Sequence, residues 1–296
     1  MTAVIAPVTF QRLLTRGDLP ESDGGLYNPS VVAGPDGHLR MLVRREADYT
    51  WKRPSFPTFV DCQTRAHETL RPIGFQPGAR IEDCRVFAWR GSLLVSHVDY
   101  LCPDGRVAYP VKQRLSVIDG DQLLPWDAWN LPVSTKRVEK NWVLVSTADD
   151  LFCVYSLDPF VVCRRVRTGA WEMLYGYCSG LTKAFGKEPH NSTHLLPFDG
   201  GFLGFWHFIK PGTRSVYVTG AYWLGPDLKL AMVSGALLDG GWVANDVYKP
   251  GVYYVSSAIV QGAEVKLFAG EGDAHCSVAT LPVETLRAEL RPHGLG

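Results

Sequence analysis

The stretch IEDCRVFAWRGSLLVSHVDY, residues 81–100, sets Glu82, Asp83 and Arg85 at the mouth of an apolar run. Charge in such a place is costly unless it is paired or used. Side chains alternate faces along a strand, so one of Glu82 and Asp83 points inward and the other toward a neighbouring element; Arg85 shares the face of Asp83. Two chemistries suit this arrangement. Arg85 and Asp83 form a structural ion pair that closes the mouth of the strand, or Asp83 is a carboxylate that binds a polar ligand such as a sugar or delivers a proton.

Other polar residues recur in the same kind of place. Arg44 or Arg45 faces inward at the end of the apolar run LVRRE, unless both are solvated edge charges. Asp273, in AGEGDAH, follows two glycines that let the backbone approach a ligand, and an ordinary Asx turn is the alternative. Lys140 and Asn141 stand in EKNW, beside a tryptophan suited to packing. His190 and His194 are four residues apart, but PHNSTHLLPF reads as the start of a strand, where that spacing is about 13 Å, so the pair is not a metal site. Lys140, His207 and His194 instead suggest a patch that holds an anion by charge or hydrogen bonds.

The elements that must position these residues are short. Gly (29) and Pro (20) punctuate many brief runs rich in Val, Leu, Phe, Tyr and Trp, which predicts a nearly all-β chain. Five stretches superpose, beginning at Asn28, Glu82, Lys140, Asn191 and Ser256. Each has a polar start, an apolar strand, a turn (GPDG, WRGS, TADD, PFDGG, VQGAE) and a second strand with a polar end. Their spacing of roughly 50 to 65 residues matches one propeller blade per unit. This predicts a single five-bladed β-propeller over residues 1–296. In a hairpin the first strand begins where the second ends, so the polar tips of all five units meet around the axis. The pool of axial candidates is Asn28, Arg44, Glu82, Asp83, Arg85, Asp99, Lys140, Asn141, Asp158, His190, His194, His207, Glu271 and Asp273. Trp51 is the best aromatic candidate for stacking on a sugar ring, with core packing as its alternative.

Bulk properties narrow the function classes. Thirty basic and thirty acidic residues leave no global field for nucleic acid or an anionic membrane. Seven cysteines without a CxxC pair suit free thiols in a reducing compartment, and the first residues do not read as a signal peptide, so the expectation is a soluble cytoplasmic protein. No stretch is long and apolar enough to cross a bilayer. There is no GxSxG, P-loop or Rossmann glycine fingerprint.

YNPSVV with a strand ending at Arg44, then EDCR, a KN motif, a strand carrying Trp206 and His207, and AGEGDAHCSVATLPVETL resemble, in order and over nearly the whole chain, the β-mannoside phosphorylases of glycoside hydrolase family 130 and the related glycosyltransferase family 108. The resemblance implies a five-bladed propeller whose axial pocket holds a mannosyl residue, and inverting cleavage or transfer from mannose 1-phosphate or GDP-mannose. It implies Asp83 as the acid, Asn28, Arg44 and Asp273 as sugar ligands, and His207 as a residue of the phosphate pocket; the reading of the residues themselves adds Arg85 to the sugar ligands and Lys140 and His194 to the anion ligands. No cofactor is implied beyond inorganic phosphate or a nucleotide sugar as co-substrate; the partner is a mannose-containing oligosaccharide or sugar phosphate. Cys84 replaces the proline of the family's motif, and Ser156 stands where the phosphorylases bring an arginine, which thins the phosphate site. EKNW and YSLDP look more like the transferases. Hydrolysis is the alternative activity, with Glu139, Glu188 or Asp158 as base, and a propeller that binds glycan without turnover is the alternative of another class.

Overall fold

Two turns show how the sequence dictates its hairpins. Arg90 and Gly91 hold φ of 48° and 75°, and Asp199 and Gly200 hold 47° and 74°. Paired positive φ values make the tight turn whose twist matches antiparallel strands. The computed structural model of the chain describes residues 8–34, 37–48, 55–101, 107–108, 110–127, 129–134, 138–147, 149–210, 212, 215–243 and 247–294. Trp51 lies outside them.

The described residues are all β apart from two short α-helices, Leu181–Phe185 and Val283–Glu289, and one 3-10 turn, Gly240–Trp242. The described strands form five separate sheets. The first runs Gly25–Ala33, Leu39–Glu46, Phe56–Asp61 and His67–Thr69; the third runs Val143–Ser146, Leu151–Leu157, Phe160–Arg167 and Ala170–Tyr177. The second runs Ala79–Trp89, Ser92–Leu101, Lys112–Asp119 and Gln122–Asp127, with Arg71–Pro72 added in parallel at its edge. In the fourth, Gly201–Lys210 and Val216–Leu224 form the centre. Its first strand is broken into His190–Asn191 and Leu196–Phe198. The fifth runs Tyr253–Gln261, Glu264–Glu271 and His275–Pro282, and is completed by the N-terminal strand Thr9–Leu14. Each of the five hairpins expected from the sequence supplies the first two strands of one sheet.

The core lies between sheets. Leu42 packs with Ile81, Val86 and Val95 between the first and second sheets. Leu94 and Leu115 meet Leu144, Cys153 and Cys163 between the second and third. Val154 and Phe160 meet Trp206 and Tyr222 between the third and fourth. Phe205 and Ala221 meet Val255 and Leu267 between the fourth and fifth, and Phe268 and Val278 meet Val31 and Val43 between the fifth and first. Each sheet thus buries both faces, which is why its strands are apolar on both sides, and the succession returns to its start in a propeller-like arrangement. Among the described residues no helix is long and apolar enough to cross a membrane.

Three of the first strands carry an irregularity at one level. The register shifts between Tyr27 and Ser30, between Glu82 and Arg85, and between Val255 and Ser257. Asn28 and Asp83, inside two of these bulges, hold φ of 53° and 52°. A bulge with a left-handed residue bends the strand and re-aims the side chain, and Asn and Asp tolerate that conformation better than most residues.

Candidate functional site

The re-aimed side chains line a polar cavity of about 170 Å³. Asn28 and Arg44 come from the first sheet, Glu82 and Asp83 from the second, Lys140 and Asn141 from the approach to the third, and His207 and Tyr217 from the fourth. Tyr254 comes from the fifth, with Asp273 in the turn between its second and third strands, where φ is 56°. Residues separated by more than 200 positions therefore share one small space.

Asn28 fixes Asp83: its Nδ2 donates to Asp83 Oδ1 over 2.8 Å. Gly270 leaves the space that Asn28 occupies, because a Cβ there would lie 2.4 Å from Asn28 Oδ1. Arg44 reaches the cavity from an ion-pair cluster, touching Glu46 and Glu82. Arg80 also pairs with Glu46 and stands 3.5 Å from Glu82, while Tyr27 donates to Glu46 over 2.9 Å and Tyr100 donates to Glu82. Two guanidiniums balance two carboxylates here, so a buried cluster stays neutral overall. Asp273 pairs with Lys249 over 2.5 Å.

His207 is buried, with Nδ1 2.8 Å from Ser192 Oγ. Its ring stacks on Tyr217 with centroids 5.6 Å apart and 9° between planes, and Tyr254 stands edge-on to both. Burial, then the charges of His190, Lys140 and Arg85, push the imidazole well below its usual pKa. His207 therefore offers a neutral ring, and Lys140 is the positive charge beside it in the cavity wall. Lys140, Asn141, His207 and Tyr217 are shared with a second, wider groove of about 640 Å³ that includes Glu139, Ser156, Lys187, Glu188 and His190. The small cavity and the groove adjoin, with the four shared residues as their common wall.

Several expectations are corrected. The bulge cancels simple alternation, so Glu82 and Asp83 both line the cavity, and the shared face expected for Asp83 and Arg85 does not follow. Arg85 is not a wall residue. It lies buried beneath the cavity, donating to Asn141 Oδ1 over 3.4 Å and to Tyr254 Oη. His194 belongs to neither cavity nor groove. Its Nδ1 accepts from Leu144 N over 2.8 Å and its Nε2 donates to Arg85 O over 3.1 Å, so it is a neutral tie between sheets, held at a pKa of about 3 by burial and by Arg85. It faces a separate space of about 310 Å³ lined by Ser30, Val86, Ser146 and Ala258.

Asp99 pairs with Arg114 over 2.9 Å and Glu271 with Arg12 over 2.5 Å, away from the cavity lining. Asp158 accepts backbone N–H bonds from Ser179, Gly180 and Thr182, which is a structural use of its carboxylate. Among the described residues no group of three or more His, Cys, Asp or Glu is placed to hold a metal ion. Tyr27, Tyr217, Lys249, Val252 and Tyr254 line the cavity without having been singled out in the sequence. Tyr27 adjoins Asn28, already marked, which was a usable signal; Lys249, in a connecting loop, offered none.

No protein-family model matches the chain, and no curated protein matches it in sequence. Solved structures do match it in fold. A β-1,2-mannobiose phosphorylase from Listeria innocua, in complex with β-1,2-mannobiose, superposes with a TM-score of 0.65 at 14% identity, covering 96% of this chain and 99% of that one. A mannose phosphorylase from Leishmania mexicana, in complex with phosphate ion, gives 0.60 at 14%, covering 96% and 91%. A structure from work on the GH130 family of mannoside phosphorylases, which contains glycoside hydrolases targeting β-1,2 mannosidic linkages in Candida mannan, gives 0.64 at 11%, covering 88% and 85%. At such identities the likeness is one of fold: this chain has, over nearly its whole length, the architecture of those mannoside-active proteins.

Proposed function

We propose that the chain is a carbohydrate-active enzyme that cleaves or transfers mannosyl residues with inversion, and that Asp83 is its general acid. The five sheets act as five blades of a single domain, and the 170 Å³ cavity at their common end holds one sugar ring. That volume is well below the roughly 300 to 1,000 Å³ of clefts for larger ligands, and its lining is almost wholly polar. The observation that carries the reading is the convergence of Asp83, Asn28, Arg44 and Asp273 on this cavity. The fold shared with mannoside phosphorylases supports it.

Inversion needs a proton donor on the leaving oxygen and a nucleophile on the opposite face of the ring. Asp83, held by Asn28, supplies the first. Asn28, Arg44 and Asp273 bind sugar hydroxyls, and Lys140 with neutral His207 holds an anionic co-substrate, either inorganic phosphate or the phosphate of a nucleotide sugar. Phosphate arrives already charged, so a single protein acid suffices for phosphorolysis. Hydrolysis is the second reading, because Glu139 and Glu188 line the adjoining groove, where a base about 6.5 to 9.5 Å from the acid is required. Free thiols at all six described cysteines suit a cytoplasmic location.

The test is product analysis. β-1,2- and β-1,4-mannobiose are incubated with and without phosphate, and mannose with mannose 1-phosphate or GDP-mannose. Phosphate-dependent cleavage identifies a phosphorylase, phosphate-independent cleavage a hydrolase, and consumption of the nucleotide sugar a transferase. Sugar binding without any product identifies a glycan-binding propeller and overturns the enzymatic reading.

A further inference from the structure

Arg85 is 1% exposed, and among the described residues no carboxylate is paired with it. Its Nη2 donates to Asn141 Oδ1 and Tyr254 Oη, and its Nε has no hydrogen-bond partner among the described residues. Nearby, Arg44 and Arg80 share Glu46 and Glu82. A buried guanidinium on neutral acceptors is a poor stabiliser, since replacing a buried charge by an apolar group of similar volume is often neutral or favourable. Stability therefore does not explain why the chain keeps it.

Its contacts suggest what does. Asn141 Oδ1 accepts from Arg85 and from Tyr254 Oη, which fixes the amide and leaves its NH2 group, a pure donor, for the cavity that Asn141 lines. Arg85 itself is anchored through its carbonyl, which accepts from His194. Lys140, next to Asn141 in the same wall, adds three donors and a charge, and His207 adds a neutral ring. This corner offers donors and positive potential, the environment in which a phosphate-class oxyanion is held.

We propose that Arg85 is a positioning residue for an oxyanion-binding corner of the site, acting through Asn141 and Tyr254. The inference rests on the functional reading above and adds to it the residue that orients the anion-binding wall. Arg85 stays one layer below the ligand. Its guanidinium orients the two walls and supplies the field, while Asn141, Lys140 and His207 make the contacts.

The test compares wild type, Arg85→Met and Arg85→Lys by thermal melting with inorganic phosphate, with β-1,2-mannobiose, and with neither, alongside steady-state kinetics. We expect R85M to melt at or above the wild-type midpoint without ligand and to lose the rise that phosphate gives wild type. Its kcat should fall about 100-fold or more, in the range seen when an oriented donor is removed. Its KM for phosphate should rise while its response to mannobiose persists. R85K, which keeps the charge without the fork, should regain part of the phosphate response but little of kcat. An R85M that melts several degrees lower or fails to fold, with an R85K that still responds fully to phosphate at full kcat, makes Arg85 structural and overturns the proposal. Wild type that ignores phosphate but is stabilised by mannobiose overturns the oxyanion corner alone. Wild type that ignores both overturns the mannoside reading with it.

Discussion

Asn28 and Asp83 stand in bulges of two different sheets, both with left-handed backbone, φ 53° and 52°, and are joined by a 2.8 Å bond from Asn28 Nδ2 to Asp83 Oδ1. One amide thus aims the candidate acid across a seam between sheets. Deleting the bond tests it. Asn28→Gly and Asn28→Ala both remove the amide, and both should lose at least about tenfold in turnover, since a misplaced catalytic group can cost up to about 100-fold. The two should differ in stability. Alanine in the left-handed region is strained by about 1 kcal/mol or more where glycine is not, so the glycine variant should melt higher. Equal melting points, or wild-type rates in either variant, contradict the role of the bulge.

Gly270 provides a second test of the same geometry from outside the cavity lining. A methyl group there would meet Asn28 Oδ1 at 2.4 Å and Asn28 N at 2.9 Å, so Gly270→Ala must displace Asn28. We expect a loss of about 1 to 3 kcal/mol in urea unfolding and a matching fall in turnover. A variant with unchanged unfolding and rates would show that Asn28 is free to move without consequence.

Much of this architecture is legible in the sequence. The five polar–apolar–turn–apolar units each became the first hairpin of a sheet, because a hairpin is specified locally by its turn residues and by apolar runs that pack on both faces. Asn28, Arg44, Asp83, Lys140, His207 and Asp273 do converge on one cavity. What alternation could not supply was phase. A bulge inserts one residue, so the face expected for Arg85 was wrong, and both Glu82 and Asp83 reached the cavity. His194 failed for a related reason: the fourth sheet's first strand is interrupted between Asn191 and Leu196, and His194 falls in the gap, where it serves Leu144 and Arg85 rather than a ligand. The closing N-terminal strand depends on a partner more than 250 residues away, a pairing no local pattern encodes.

Acid stability follows from three buried histidines. His97 and His194 are held at about 3 by burial, and His207 is depressed for the same reason. A depressed histidine pKa means that the unfolded chain takes up protons first, so this stability is complete above about 6.5 and is lost as the pH falls from there toward 3. Each fully buried ring contributes up to about 1.4 kcal/mol per pH unit in that window. The urea midpoint should therefore decline steadily from pH 6.5 downward, and His97→Gln, outside the cavity lining, should flatten the decline. A midpoint independent of pH across this window, or an unchanged slope in H97Q, contradicts the assignment.

Glu82 should prove structural in charge balance and functional in shape. It carries Arg44, Arg80 and Tyr100. Glu82→Gln leaves two guanidiniums with one carboxylate in a buried cluster, and breaking such a balance is expected to cost about 3 kcal/mol or more. Chemical denaturation of E82Q checks this, and a wild-type midpoint would mean that the cluster is solvated.

The central claim is that Asp83 delivers a proton to a mannosidic oxygen. Product release from β-1,2-mannobiose, followed with and without phosphate for wild type and Asp83→Asn, addresses it most directly. Asparagine tolerates the left-handed backbone at this position, so the variant should fold as wild type and still bind the sugar, while turnover falls by about 100-fold or more. A folded D83N that releases product at the wild-type rate would contradict the account.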